Sequence, residues 1–328
     1  MVAGRIQRLL PGLGLLVVLA GVATLVAGVV PGVNALLLGV FFGAVVANTV
    51  GVPDWAKPGV DTQTVLLEAG IVLLGARIAL DELVASGPLV IGLVVVTVVV
   101  SIALVEVVAG RGFGLTAKTS SLLAAGASVC GVSAATAIAG TIDADGESLA
   151  HVVATVLLFD AITLAVFPVA GEILPLTGQQ FGVWAGLSMF STGPVTAAGF
   201  AHSEVAGQWA TVTKLARNSM LGAVALWYAA RYASPDSGGV KAVVDGIPAF
   251  LVGFVLVAIL ANVGLFSTGT LAGIDTASDT LFALAFVGLG LDIRLDAMRE
   301  TGVSPAFVLA VQLLAISTVS LAAVMLFI

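Results

Sequence analysis

The sequence predicts an all-α polytopic membrane protein of about eleven transmembrane helices, and three observations carry that prediction. Hydrophobic residues make up 59% of the 328 residues and charged ones only 9%, with a mean hydropathy of +1.18. A soluble domain carries about 25% charged residues, so a water-soluble globule is excluded. Apolar runs of helical length, divided by Gly, Pro and charged clusters, also recur along the whole chain. Two stretches at membrane depth are instead built from small and polar residues, which predicts discontinuous helices near the midplane.

In order, the spans are expected near residues 9–30, 33–51, 62–80, 88–109, 119–141, 149–170, 181–201, 207–231, 244–264, 277–292 and 303–327. The first run is flanked by Arg5 and Arg8, is followed at once by another span and shows no small-residue cleavage site. It reads as a retained helix and not a signal peptide. No connection is long or polar enough for a soluble domain, so residues 1–328 read as one integral membrane domain. Its repeat-like halves lie at about 33–170 and 181–327.

The fifth span holds the first bendable stretch, AGASVCGVSAATAIAG from Ala125 to Gly140. Leu, Ile and Val nearly vanish from its centre, and Gly126, Ser128, Cys130, Gly131 and Ser133 take their place. Such residues allow unwinding, and unwound backbone at this depth is tolerated only inside protein or beside a wet cavity. A tight small-residue seam between helices is the equal alternative. The seventh span holds the second stretch, with Ser191, Thr192, Gly193, Pro194 and Thr196 together. Here an ordinary proline kink is the favoured reading over a full break.

Basic residues set the orientation, because cytoplasmic loops collect them. A cytoplasmic N-terminus places Arg5, Arg8, Lys57, Arg111, Lys118, Arg231, Lys241, Arg294 and Arg299 inside, nine of the twelve Lys and Arg. The C-terminus is then external. An internal repeat supports a transporter plan. GVFFGAVVANTVG (Gly39 to Gly51) aligns with GFVLVAILANVG (Gly253 to Gly264), pairing Asn48 with Asn262. VLLGARIALDELVASG (Val72 to Gly87) aligns with VGLGLDIRLDAMRETG (Val287 to Gly302), pairing Gly75 with Gly290, Ile78 with Ile293 and Asp81 with Asp296. Copies seven spans apart run in opposite directions, the inverted-repeat plan of many secondary transporters.

The order GIVLLGARI, GASVCGVSAATA, TKLARNSML and FALAFVGLGLDIRLDAMRETG resembles the YeiH-type sulfate exporter family, from about Leu36 onward. The resemblance implies an inverted-repeat fold similar to the bile-acid symporters and sodium/proton antiporters. It also implies the role proposed for that family, export of sulfate or a related anion. One departure stands out. Where the family shows a His-Glu pair followed by Val-Ala-Gln, this chain has Phe190 and Ser191, then Thr192, Gly193 and Pro194. Coupling or specificity that depends on that pair must differ here.

Charges within spans complete the candidate site. Lys214 and Arg217 are three apart and share a helix face. Buried, they suit a tetrahedral dianion, Arg as a planar fork and Lys as a point charge; at a span edge they would snorkel to water. Arg77 either faces the same site or pairs locally with Asp81. Asp160 and Glu68 are the acids deepest in spans, suited to carrying a proton or to neutralising a buried cation, with charge pairing favoured for Asp160. DADGE at Asp143 to Glu147 is the only acidic cluster and has no partner motif, so an enzyme is not expected, nor a cofactor or metal. The expected partners are a small anion, the lipid bilayer of the cell membrane and a coupling proton or sodium ion. Nucleic acid is not expected, and a homodimer is left open. A sodium/proton antiporter on the same fold is the alternative function.

Overall fold

The computed structural model describes residues 2–30, 34–78, 80–232, 249–298 and 302–328, and among these it is all helical. In chain order the helices are α1 (Val2–Val29), α2 (Ala35–Thr49), α3 (Lys57–Val60), α4 (Gln63–Leu74), α5 (Leu80–Val107), α6 (Ala117–Ser128), α7 (Val132–Ile142) and α8 (Gly146–Ile173). There follow α9 (Gly178–Ser188), α10 (Thr192–His202), α11 (Glu204–Ser219), α12 (Leu221–Arg231), α13 (Ala249–Asn262), α14 (Thr268–Asp292), α15 (Leu295–Met298) and α16 (Val303–Phe327). Six segments among the described residues are long and apolar enough to cross a membrane: Arg8–Val29, Lys57–Arg77, Gly87–Gly112, Gly146–Ile173, Thr268–Asp292 and Val303–Phe327. Shorter apolar helices include α2, α7 and α13. Lys241 and Arg299 lie outside the described residues, as do the side chains of Arg5 and Asp81.

Two compact units divide the chain: residues 1–83 with 250–295, and residues 84–249 with 296–328. Each draws on both repeat-like halves.

In the first unit α14 packs on α2 and α4, and α1 packs on α2 and α3. Its contacts come in matching pairs. Gly290 lies against the Val40 carbonyl, and Gly75, which aligns with it in sequence, lies against the carbonyl of Phe254. Gly39 faces the Val287 side chain, and Gly253 faces that of Val72. Asn48 donates to Ile293 O at 2.6 Å and accepts from Leu295 N at 2.8 Å, while Asn262 donates to Ile78 O at 2.8 Å. Asn48 thus ties down the turn that ends α14, and Asn262 the turn that follows α4. These turns leave carbonyls that no helix bond satisfies, and a short carboxamide is an efficient donor to them.

Arg77 closes the Gly75–Arg77 turn and bonds Asp275 Oδ1 at 2.8 Å, Asp275 O at 2.9 Å and Asp279 Oδ1 at 2.8 Å. Asp275 and Asp279 are partners that the sequence reading did not name, and the pairing with Asp81 that it did name falls on a side chain outside the described residues. They were missed because α14 begins at Thr268, nine residues before the expected 277. Asp275 and Asp279, in the first half of α14, are the counter-ions of a neighbouring helix end. Glu68 is half-buried on α4 in this same unit.

In the second unit α11 packs on α9 and α10, α6 on α7 and α8, α10 on α8, and α16 on α9. Side-chain caps start most of these helices: Thr116 for α6, Asp145 for α8, Thr177 with Gln180 for α9 and Ser203 for α11. The starts of α7 and α10 lack such a cap.

Candidate functional site

Both small-residue stretches break their helices. α6 stops at Ser128, and Val129 (φ −115°, ψ −83°), Cys130 and Gly131 form a non-helical link to α7. Gly131 sits at φ 69°, ψ −131°, a conformation open to glycine, and a methyl there would also collide with Ser191 Oγ. The second break is complete rather than the expected kink. Met189 (ψ 158°) and Ser191 (ψ 153°) are extended between α9 and α10. Pro194 falls in the first turn of α10, where its missing N–H costs no helix bond. The two links meet at Gly131 and Ser191.

Each break exposes the end carbonyls of one half-helix and the first amides of another. Lys214 and Arg217, fully buried on α11, answer the carbonyls. Arg217 Nη2 donates to Ala127 O at 3.0 Å and Nε to Ser128 O at 3.2 Å. Its Nη1 donates to Gly186, Leu187 and Met189 O at 2.8, 2.9 and 2.9 Å. Lys214 Nζ donates to Val129 O at 2.8 Å, Met189 O at 3.2 Å and Phe190 O. The remaining α6 carbonyls, Ala125 and Gly126, take the amides of Val129 and Gly131. Two side chains thus bind the ends of α6 and α9 together, and the partial negative charge there faces full positive charge. Snorkelling is excluded by their burial. Direct bidentate capture of an anion by Arg217, expected from the sequence, meets a geometric correction: the fork lies on backbone carbonyls.

Asp160, 5% exposed on α8, accepts from Ser191 N at 3.0 Å at the start of α10. It forms no ion pair with Lys214 or Arg217 within 4.0 Å; its hydrogen bond goes to a helix start, and its charge acts on Lys214 across a longer gap. Phe190, where the resembling family has His, is fully buried edge-on to Phe159, 6.0 Å between centroids.

The amide ends carry the accessible groups. Cys130, Ser191 and Thr192 are half-buried and Ser133 is exposed, whereas Ser128 and Gly126 are buried. Ser128 Oγ donates to Ser101 Oγ at 2.8 Å, which also receives Gln312 Nε2 at 2.9 Å. Thr196 is fully buried and receives Thr211 Oγ1 at 3.2 Å, so it packs α10 onto α11 and lies away from the accessible ends. Sequence reasoning missed Asn218, 3% exposed, whose Nδ2 donates to Thr192 Oγ1 at 3.0 Å. Its signal was position: four residues after Lys214, it shares that helix face. Arg77 and Glu68 belong to the first unit and the other candidates to the second.

Residues 11–309 match the family model described as conserved hypothetical protein 698. The chain is 32% identical over 323 residues to a UPF0324 membrane protein of Nitratidesulfovibrio vulgaris, covering 92% of this chain and 89% of that one. It is 32% identical over 308 residues to the UPF0324 inner membrane protein YeiH of Salmonella typhi, covering 90% and 88%. It is 30% identical over 325 residues to a UPF0324 membrane protein of Pseudomonas aeruginosa, covering 93% and 91%. No solved structure matches.

Proposed function

The chain belongs to the UPF0324 membrane-protein family, described as conserved hypothetical protein 698, and from that premise we propose that it is a secondary transporter of a small oxyanion. The observation that carries this reading is the meeting of two half-helix starts, α7 and α10, neither capped by the side chain of its own N-cap residue. A helix start bears about +0.5 charge and free amides, an anion site made of backbone. The opposed helix ends cancel one another, and two buried cations stand against the single carboxylate of Asp160. The local charge is then about +1.

In this reading Lys214 and Arg217 act from behind the site. They fix the helix ends and supply positive field, while Gly131, Ser133, Ser191 and Thr192 offer the contacts. Asp160 suits a coupling proton, since protonation would weaken its bond to Ser191 N and loosen the start of α10. The matching bonds of Asn48 to Ile293 and Asn262 to Ile78, and the matching close approaches of Gly75 to Phe254 and Gly290 to Val40, support an inverted repeat. Eleven crossings with a cytoplasmic N-terminus and an external C-terminus are part of this proposal, and what supports them is the succession of apolar runs and the distribution of Lys and Arg. The sodium/proton alternative would want more than one carboxylate at the crossing, where Asp160 stands alone.

Flux into proteoliposomes tests the reading. Labelled sulfate and phosphate, offered under imposed proton and sodium gradients, are expected to cross against protein-free vesicles. Uptake of sodium without any anion flux would support the antiporter instead.

A further inference from the structure

Glu68 is the sixth of the twelve residues of α4 and stands near the middle of the apolar Lys57–Arg77 span. It is half-buried, and among the described residues it takes part in no hydrogen bond or ion pair. An ionised carboxyl at that depth needs a cation, a donor or water beside it. The cations at the ends of its own span are committed elsewhere, Arg77 to Asp275 and Asp279 and Lys57 to Asp54. The titratable groups of α14, which packs on α4, lie toward the two ends of α4. Asp275 and Asp279 are with Arg77 at one end, and Asp292 accepts from Gln63 Nε2 at 2.6 Å at the other, with Asp61 close by in sequence. No charged group acts on the Glu68 carboxyl.

The fold does not ask for an acid at this position. Extended four residues upstream, the alignment of Val72 with Val287 sets Glu68 opposite Ala283, so the other copy of the repeat does without one. Asn48 and Asn262, by contrast, serve helix-ending turns in both copies. Thr64 is four residues before Glu68 and Asp61 three before Thr64, in backbone that stays helical through Asp61 and Thr62. Those spacings share one helix face, and both residues are exposed. A polar row therefore runs from the end of the span to the unpaired carboxyl at its middle.

We infer that Glu68 is a proton-binding site: its carboxylate takes a proton from water, stands neutral at neutral pH, and gives the proton up again during transport as a coupling ion. The inference rests on the transport reading above and adds a second carboxyl to Asp160, one in each unit. The neutral acid escapes the cost of an unpaired charge at membrane depth, and the Asp61–Thr64 face gives the proton a way in and out.

Infrared difference spectra of the full chain in lipid, taken between mildly acidic and alkaline buffer, read the carbonyl stretch of a protonated carboxyl directly. Wild type is expected to lose such a band as the pH rises, and Glu68→Gln, close in size and fixed neutral, to lack that component. In proteoliposomes with the membrane voltage clamped at zero, the accumulation of labelled sulfate or phosphate driven by an imposed pH difference is the second readout. Glu68→Gln should lower it by about tenfold or more for each unit of pH difference, the share of one proton per cycle. Identical spectra for the two proteins, or accumulation at the wild-type level in Glu68→Gln, overturn the inference and leave the transport reading standing. Absence of flux for both anions in wild type overturns the transport reading and the coupling role with it, and the infrared spectra then decide the proton site by themselves.

Discussion

Replacing Arg217 by lysine keeps the charge and removes the planar fork, which separates a framework role from direct anion binding. Arg217 makes five hydrogen bonds that span two helix ends, Ala127 and Ser128 on one side and Gly186, Leu187 and Met189 on the other. An ammonium has three donors on one atom and cannot replace five bonds spread over the three nitrogens of the fork. Of the carbonyls left behind, only Met189 O has a second partner, Lys214. Hydrogen bonds to charged groups contribute about 1.5–3 kcal/mol each, but they are not additive and water or relaxation recovers part of the loss. Breaking a buried charged cluster costs about 3–5 kcal/mol, and Arg217→Lys is expected at the lower end with Arg217→Met at the upper. Unfolding followed by tryptophan fluorescence in detergent micelles would measure it. Unchanged stability in Arg217→Lys, combined with weakened anion binding, would refute the framework role and restore direct capture by the guanidinium.

Gly131→Ala should destabilise by about 2–6 kcal/mol, the sum of a strained backbone and a collision with Ser191, read as a loss of thermal stability in detergent; wild-type stability would mean the two breaks do not touch as described. Asn48→Ala and Asn262→Ala should each cost about 1–3 kcal/mol, and by similar amounts, because each donates to the carbonyl of a helix-ending turn, Ile293 and Ile78 respectively. A cost from one and none from the other would contradict the reciprocal arrangement. Arg77→Met should destabilise by about 1–3 kcal/mol, and Asp275→Asn combined with it should add less than it costs alone, because the two share a bond. Full additivity in that cycle would remove the pairing.

The breaks were legible because their cause is compositional: Gly, Ser and Cys in place of Leu, Ile and Val mark backbone that need not stay helical, and Ala125 to Gly140 shows it plainly. The reciprocal Asn contacts were half legible. Alignment matched Asn48 with Asn262, but what each touches depends on how the helices pack. The partners of Lys214 and Arg217 were invisible, since spacing gives a shared face and backbone carbonyls leave no mark in a sequence. Asp275 and Asp279 misled for the opposite reason. The expected span began at 277, which left Asp275 outside it, although both acids sit in the first half of α14 as counter-ions to Arg77. Pro194 signalled a disturbance, and only the extended Met189–Ser191 link shows that the helix stops and restarts there.

Cys130 gives the most direct measurement of the central claim, that the crossing of the two breaks is where the anion sits. It is the only cysteine of the chain, half-buried between α6 and α7 and one residue from the Gly131–Ser191 contact. Its alkylation rate by a small neutral thiol reagent, measured in proteoliposomes across a range of oxyanion concentrations, needs no substitution. The account predicts that a transported oxyanion slows alkylation saturably, with a half-maximal concentration equal to that for its uptake. An alkylation rate unchanged by any anion the protein transports would place the binding site elsewhere.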